Sequence, residues 1–173
     1  MGIVLEPDKN TQTFFTLHKD DITAMDISRD GKFAVTGEVG PKPLVAMWET
    51  ESKKLLWKTT TPLAKGIACI ALNPSITLAA AVSINEGGQF PYAIYNAKDG
   101  AVVASDKSGP DFILDIVWSD DQFFATAGPQ HFYVWDSKAP SDKKKQPDSA
   151  KSNMYSTVGA FKGKFYCGAA EVI

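Results

Sequence analysis

Residues 22–49 read ITAMDISRDGKFAVTGEVGPKPLVAMWE, and their punctuation decides the fold. The run 22–28 alternates like a strand and stops at Arg29-Asp30-Gly31-Lys32, a turn sequence. "FAVTG" (33–37) is a second short strand, and Gly40 with two prolines then separates it from "LVAMWE" (44–49). "SKKLLWKT" (52–59) completes a set of four. Helical periodicity is nearly absent, and strand, turn and strand alternate instead.

The same order returns twice. "IACIALN" (67–73), "TLAAAVS" (77–83), "PYAIYN" (91–96) and "AVVASD" (101–106) form a second set. "FILDIVWS" (112–119), "FFATAG" (123–128) and "HFYVWD" (131–136) begin a third. Ser28, Asn73 and Ser119 are 45 and 46 residues apart, and Trp48, Tyr95 and Trp135 are 47 and 40 apart. A period in the forties with four strands per unit predicts β-propeller blades. One short sheet cannot cover both its faces, but sheets stacked radially cover each other.

Each third strand ends on an aromatic followed by a polar residue: Trp48-Glu49, Tyr95-Asn96 and Trp135-Asp136, of which only the last is a WD dipeptide. In WD repeats a His before the first strand, a Ser or Thr in the second and this Trp form a hydrogen-bonded network. His18, Thr36 and Trp48 occupy those places in the first unit. Thr126 and Trp135 do so in the third, with no His ahead of it, and the second has Ser83 and Tyr95. These residues, with Asp136, read as structural.

The expected fold is therefore all-β, a WD-repeat propeller of three full blades and two half blades. The boundaries are a half blade at 1–18, blades at 19–61, 62–107 and 108–152, and a half blade at 153–173. The stretch 137–152 is rich in Lys, Ser, Pro and Asp and reads as a long mobile surface loop within the third blade. The halves could join to close a four-bladed ring. The wedge shape of such blades instead favours a larger propeller, completed by the remaining blades of the same protein.

Composition narrows the function. The chain has 173 residues, 44% of them hydrophobic, and a net charge of -2, which suggests no whole-protein attraction to nucleic acid or an anionic membrane. The apolar stretch 66–84 is broken by Asn73-Pro74-Ser75, which fits two strands and not a membrane helix. Cys69 and Cys167 lie in separate apolar runs and read as buried residues in a reducing cytoplasm, with no metal site or disulfide framework. The two histidines, His18 and His131, lie far apart in sequence. No nucleophile–base arrangement or phosphate-binding glycine loop stands out, so the reading is non-enzymatic, with no cofactor. Asp20-Asp21 and Asp120-Asp121 read as blade-connecting turns. Lys143, Lys144 and Lys145 form the sharpest partner-binding candidate, against the alternative of a solvated loop. Trp57, on an outermost strand, is either part of a partner surface or packed at the blade edge.

The residues Asp20-Asp21-Ile22-Thr23, Asp30-Gly31, Thr36-Gly37, Lys42-Pro43 and Trp48 resemble the first propeller of the echinoderm microtubule-associated protein-like family. The run 2–21, with Asn10-Thr11-Gln12 and His18, resembles the stretch leading into that blade, and Thr126, Gly128, His131 and Trp135 resemble a later segment. Leu17 departs from the family, which has Gly before this His. The hydrophobic motif ahead of the family's first propeller is not found here. The resemblance implies a non-catalytic scaffold on microtubules or an axonemal assembly, located at the cytoskeleton or cilium, with tubulin as a partner. The alternative is a general propeller adaptor that does not touch tubulin.

Overall fold

A computed structural model describes residues 1–84, 86–107, 112–129, 131–139, 154–161 and 164–170, the last two segments by their backbone. Among the described residues fifteen strands follow one another, grouped into five antiparallel sheets. The strands β1 (Gly2–Glu6) and β2 (Thr11–Phe15) form a hairpin around a 3-10 turn at Pro7–Lys9. β3 (Ile22–Ile27), β4 (Phe33–Glu38), β5 (Leu44–Glu49) and β6 (Leu55–Thr60) make a four-stranded meander. β7 (Ile67–Leu72), β8 (Leu78–Ser83), β9 (Pro91–Asn96) and β10 (Val102–Lys107) repeat it. β11 (Asp115–Trp118), β12 (Phe123–Gly128) and β13 (His131–Asp136) form a three-stranded sheet, and β14 (Met154–Phe161) and β15 (Lys164–Ala170) a final pair.

This is the all-β partial propeller expected from the repeat. The loop expected over 137–152 lies, from residue 140 onward, outside the described residues. Among the described residues β1–β2 and β14–β15 remain separate sheets, so the four-bladed ring entertained from the sequence is not formed. The last strand of the first set also starts later than its sequence suggested. Ser52–Lys54 belong to a turn in which Lys53 takes φ 58° and Glu49 N donates to Lys54 O. No helix of the described residues is long and apolar enough to cross a membrane.

Side-chain alternation sends each strand's residues to two different cores. In β8, Ala79 and Ala81 face the first four-stranded sheet while Ala80 and Val82 face the third sheet. In β9, Ala93 and Tyr95 take the first direction, Tyr92 and Ile94 the second. Both faces are buried, which is why these strands read as nearly unbroken apolar runs and not as alternating ones. The first interface holds Val35, Val45, Met47 and Trp57 against Ile67, Ile70 and Tyr95. At the second, Tyr92, Phe124, Trp118 and Trp135 meet edge-on, tilted or stacked, with ring centroids 4.7 to 6.1 Å apart. The hairpin β1–β2 packs on the first sheet through Phe15, whose ring stacks on Trp48 at 4.5 Å.

Backbone partners also cross between sheets, at the repeat interval. Thr23 Oγ1 donates to Ile67 O (2.6 Å), Asp26 Oδ2 accepts from Leu72 N (2.7 Å), and Trp118 Nε1 donates to Ala71 O (3.0 Å). Asp121 Oδ1 accepts from Ser75 N (2.9 Å). The residues in these bonds are 44 to 47 positions apart.

Each turn between a first and a second strand is organised by an Asp or Asn oxygen that accepts two bonds. Asp30 Oδ1 accepts from Ser28 Oγ and Lys32 N, Asn73 Oδ1 from Thr77 N and Leu78 N, and Asp120 Oδ1 from Gln122 N and Phe123 N. Gly31 provides the left-handed residue of the first turn at φ 73°, and Ile76 fills the same place in the second at φ 58°. A β-branched residue rarely adopts that conformation. Ile76 is held there by packing against the first interface.

Gly37 lies where the first two blades touch. A Cβ there would sit 2.6 Å from Ile67 Cβ and 2.8 Å from its Cγ2. Gly37→Ala is expected to cost about 1–3 kcal/mol through overpacking, read as a lowered urea midpoint with unchanged sheet content. A second prediction concerns Asp120. Burial alone would raise its carboxyl, but bonds from Phe123 N, Gln122 N and the Ser119 hydroxyl outweigh it and hold the group below its ordinary value. The unfolded chain titrates near pH ~3.9. This carboxylate therefore stabilises the fold above that pH, and the contribution is lost as pH falls through the lower folded value. Asp120→Asn is expected to give a shallower loss of stability between neutral pH and about pH 3 than the parent in parallel urea titrations.

Candidate interaction site

The aromatic at the end of each third strand is buried in all three blades, but its polar partner differs. In the third blade Trp135 Nε1 donates to Thr126 Oγ1 at 2.8 Å, and Thr126 Oγ1 is bonded to His131 Nε2 at 2.8 Å. The imidazole expected ahead of the blade is supplied by the first residue of β13, fully buried. The β12–β13 hairpin pairs Gly128 with His131, which brings the ring back over Thr126.

The first blade departs from this. His18 Nε2 lies 2.7 Å from Thr36 Oγ1 and His18 Nδ1 lies 2.8 Å from Glu38 Oε2. Glu38 also accepts from Lys19 N and, through Oε1, from Leu44 N. Trp48 does not join, contrary to the expected network. Its ring stacks on Phe15, and Nε1 finds no acceptor. The stacking aromatic of β2 turns the indole away from Thr36. In the second blade Tyr95 replaces Trp and reaches the Thr61 hydroxyl at the end of the first blade. Burial pushes the Tyr95 phenol up to about 12. Ser83 donates to Glu86 Oε1 instead of engaging Tyr95. Asp136 accepts from Lys138 N and Gln122 Nε2, so it closes a turn.

Trp57 was open to two readings. It is 6 % exposed, and its Nε1 donates to Ala97 O at 2.7 Å, in the next blade. Gly100, at φ 74°, passes close under the ring, where a Cβ would lie 2.5 Å from Trp57 Cε3. The indole packs between blades and is not a solvent-facing contact. Lys143, Lys144 and Lys145 lie outside the described residues. Burial pushes the Cys69 thiol up, and the Asp115 charge adds to this, so the sulfur is held in its unreactive protonated form.

Sequence reasoning missed Glu38, Asp26 and Thr61. Asp26 and Glu38 interrupt apolar strands and carry a signal in that interruption. Thr61 had none, because only the approach of Tyr95 across the blade gap gives it a role.

Among the described residues no group of three or more His, Cys, Asp or Glu could hold a metal ion. Open grooves lie along the second blade. One of about 770 Å³ is lined by Ile76, Leu78, Val103, Lys98 and Lys138. Another of about 650 Å³, near the opposite ends of the strands, is lined by Leu63, Pro91, Glu86 and Asp106. Trp57→Phe is expected to keep the fold while leaving Ala97 O without its donor, at a cost of about 1–3 kcal/mol in urea unfolding.

No protein-family model matches the sequence. The chain is 35% identical over 185 aligned residues to a ciliary WD repeat-containing protein of Euplotoides octocarinatus, covering 91% of this chain and 25% of that protein. It is 28% identical to mouse WD repeat-containing protein 62, over 97% of this chain and 11% of that one. It is 26% identical to a cilia- and flagella-associated protein (number 52) of Macaca fascicularis, over 76% of this chain and 24% of that protein. The chain thus spans a quarter or less of the length of these relatives. Among solved structures, the β-propeller domain of Cps50 (Swd1) from Myceliophteria thermophila superposes with a TM-score of 0.68 at 16% identity, covering 88% of this chain and 50% of that one. By its blades and by its relatives, the chain is a stretch of WD-repeat β-propeller.

Proposed function

We propose that this chain is a non-catalytic protein-binding scaffold of a ciliary or other cytoskeletal assembly. The observation that carries this reading is the 35% identity to a ciliary WD repeat-containing protein over 91% of the chain. The similarity to a cilia- and flagella-associated protein points the same way. The polar side chains of the described blades support a scaffold role, since they are used in turns and in bonds between strands. His18 is bonded to Thr36 and Glu38, and His131 to Thr126.

Microtubule contact, the finer part of the proposal, rests on the resemblance to the echinoderm microtubule-associated protein-like family and on Lys143, Lys144 and Lys145. Acidic tubulin tails would be drawn to such a run by long-range attraction. The second reading, an adaptor without tubulin contact, is favoured by Asp142 and Asp148, which flank the lysines and weaken their field. Co-sedimentation of the chain with taxol-stabilised microtubules separates the two. Contact through the lysines predicts pelleting of the parent, weakened on adding salt and lost in a Lys143→Glu, Lys144→Glu, Lys145→Glu variant. Failure of the parent to pellet at low salt would leave the adaptor reading.

A further inference from the structure

We propose that the groove where the second blade meets the third takes a tryptophan side chain from an acidic segment of a partner protein. This names a partner class for the scaffold, and so rests on the reading of the chain as protein-binding. A comparison of the two blade junctions carries it. Met47 pairs with Trp57 and Ile94 with Ala104, each just past an unpaired bulge residue, Leu56 or Val103. Ala104 therefore holds in β10 the place that Trp57 holds in β6. Likewise Phe33 pairs with Glu49 and Leu78 with Asn96, so Leu78 stands where the first blade has a ring.

At the first junction the Trp57 indole bridges the gap, with Nε1 donating to Ala97 O at 2.7 Å. The counterpart of Ala97 in the third blade is Ser137. Each lies one residue beyond the third strand, and Ala97 N donates to Thr77 O as Ser137 N donates to Gln122 O. At the second junction Ala104 brings only a methyl group to the position of the indole. The result is an open groove of about 770 Å³ with Ala104 and Ser137 in its lining. Binding clefts commonly enclose ~300–1,000 Å³.

The groove also selects the chemistry of its guest. Leu78 and Val103 give it apolar walls, and Val103 is 53% exposed. Lys98 and Lys138 stand over these walls, both exposed, and enter no ion pair among the described residues. The carboxylate of Asp121, also in the lining, already accepts from Ser75 N. An indole repeats the packing of Trp57, its N–H reaching Ser137 O as Trp57 reaches Ala97 O. Carboxylates beside it meet the two lysines, whereas a basic segment meets like charge. Tryptophan seated in a pocket is a common anchor of protein interfaces.

Fluorescence anisotropy of a labelled peptide, Glu-Glu-Trp-Glu-Glu, titrated with the 173-residue chain tests this. Saturable binding is expected, weaker in salt and about tenfold weaker or more when Ala replaces the peptide's Trp. Ala104→Trp supplies the indole from within the chain and is expected to abolish binding while keeping the parent's circular dichroism. The variant Lys98→Glu, Lys138→Glu alters two exposed side chains, keeps the fold and is expected to weaken binding about tenfold or more. Should Ala104→Trp fail to fold, the lysine variant and the Ala peptide decide. No saturable binding by the parent overturns the proposal and leaves the scaffold reading to the microtubule experiment above. Equal binding of the Ala peptide, or undiminished binding by either folded variant, also overturns it.

Discussion

In both four-stranded sheets of the described residues the two central strands are buried on both faces, and that constraint organises the rest. A four-stranded sheet with one wet face can stand at a surface, whereas one with two dry faces must be flanked. The second sheet illustrates the demand. Ala79, Ala80, Ala81 and Val82 on β8 are all fully buried, two of them facing each way. Small side chains there let the neighbouring sheets come close, and large ones on β9 (Tyr92, Ile94, Tyr95) fill the space left over. The first interface shows the limiting case at Gly37, where the neighbour's Ile67 occupies the volume of a side chain.

Polar groups are placed so as not to violate this dryness. Trp57 and Trp118 each bring one N–H into an interface, and each finds a carbonyl of the adjacent blade. Asp26 brings a carboxylate and meets the Leu72 N–H. Burying such groups without partners would cost a few kcal/mol each, so the bonds fix the register of one blade on the next as well as offsetting desolvation. Trp48 is the exception. Its ring stacks on Phe15 and its N–H goes unsatisfied. The stacking of two large rings is worth about 0.5–1.5 kcal/mol beyond burial, which offsets part of that loss.

The fold was legible because the period is written in several ways at once. Turn residues Asp30-Gly31, Asn73 and Asp120, and aromatics Trp48, Tyr95 and Trp135, recur in step. Strand identity followed from them with errors only at ends such as Ser52–Lys54, where a left-handed Lys53 made a turn that composition did not announce. The polar network was less legible. Thr126 and Trp135 could be paired from their positions, but not the contribution of His131, since a tight hairpin folds it back onto its own sheet. Nor could Trp48's orientation be read, because it depends on Phe15, in an element of different register. Whether Trp57 faced solvent was undecidable for a similar reason: its acceptor is Ala97, 40 residues away.

The bonds that cross between blades also give the arc a mechanical character. They join successive blades, first to second and second to third, so a load applied along the rim passes through them in series. Such a chain yields at its weakest junction and not uniformly. The first junction combines the Thr23, Asp26 and Trp57 bonds with the Gly37–Ile67 contact, while the second relies on Trp118, Asp121 and its aromatic rings. Stretched end to end, the arc would part as whole blades, each keeping its own sheet, before any strand was peeled from its neighbours.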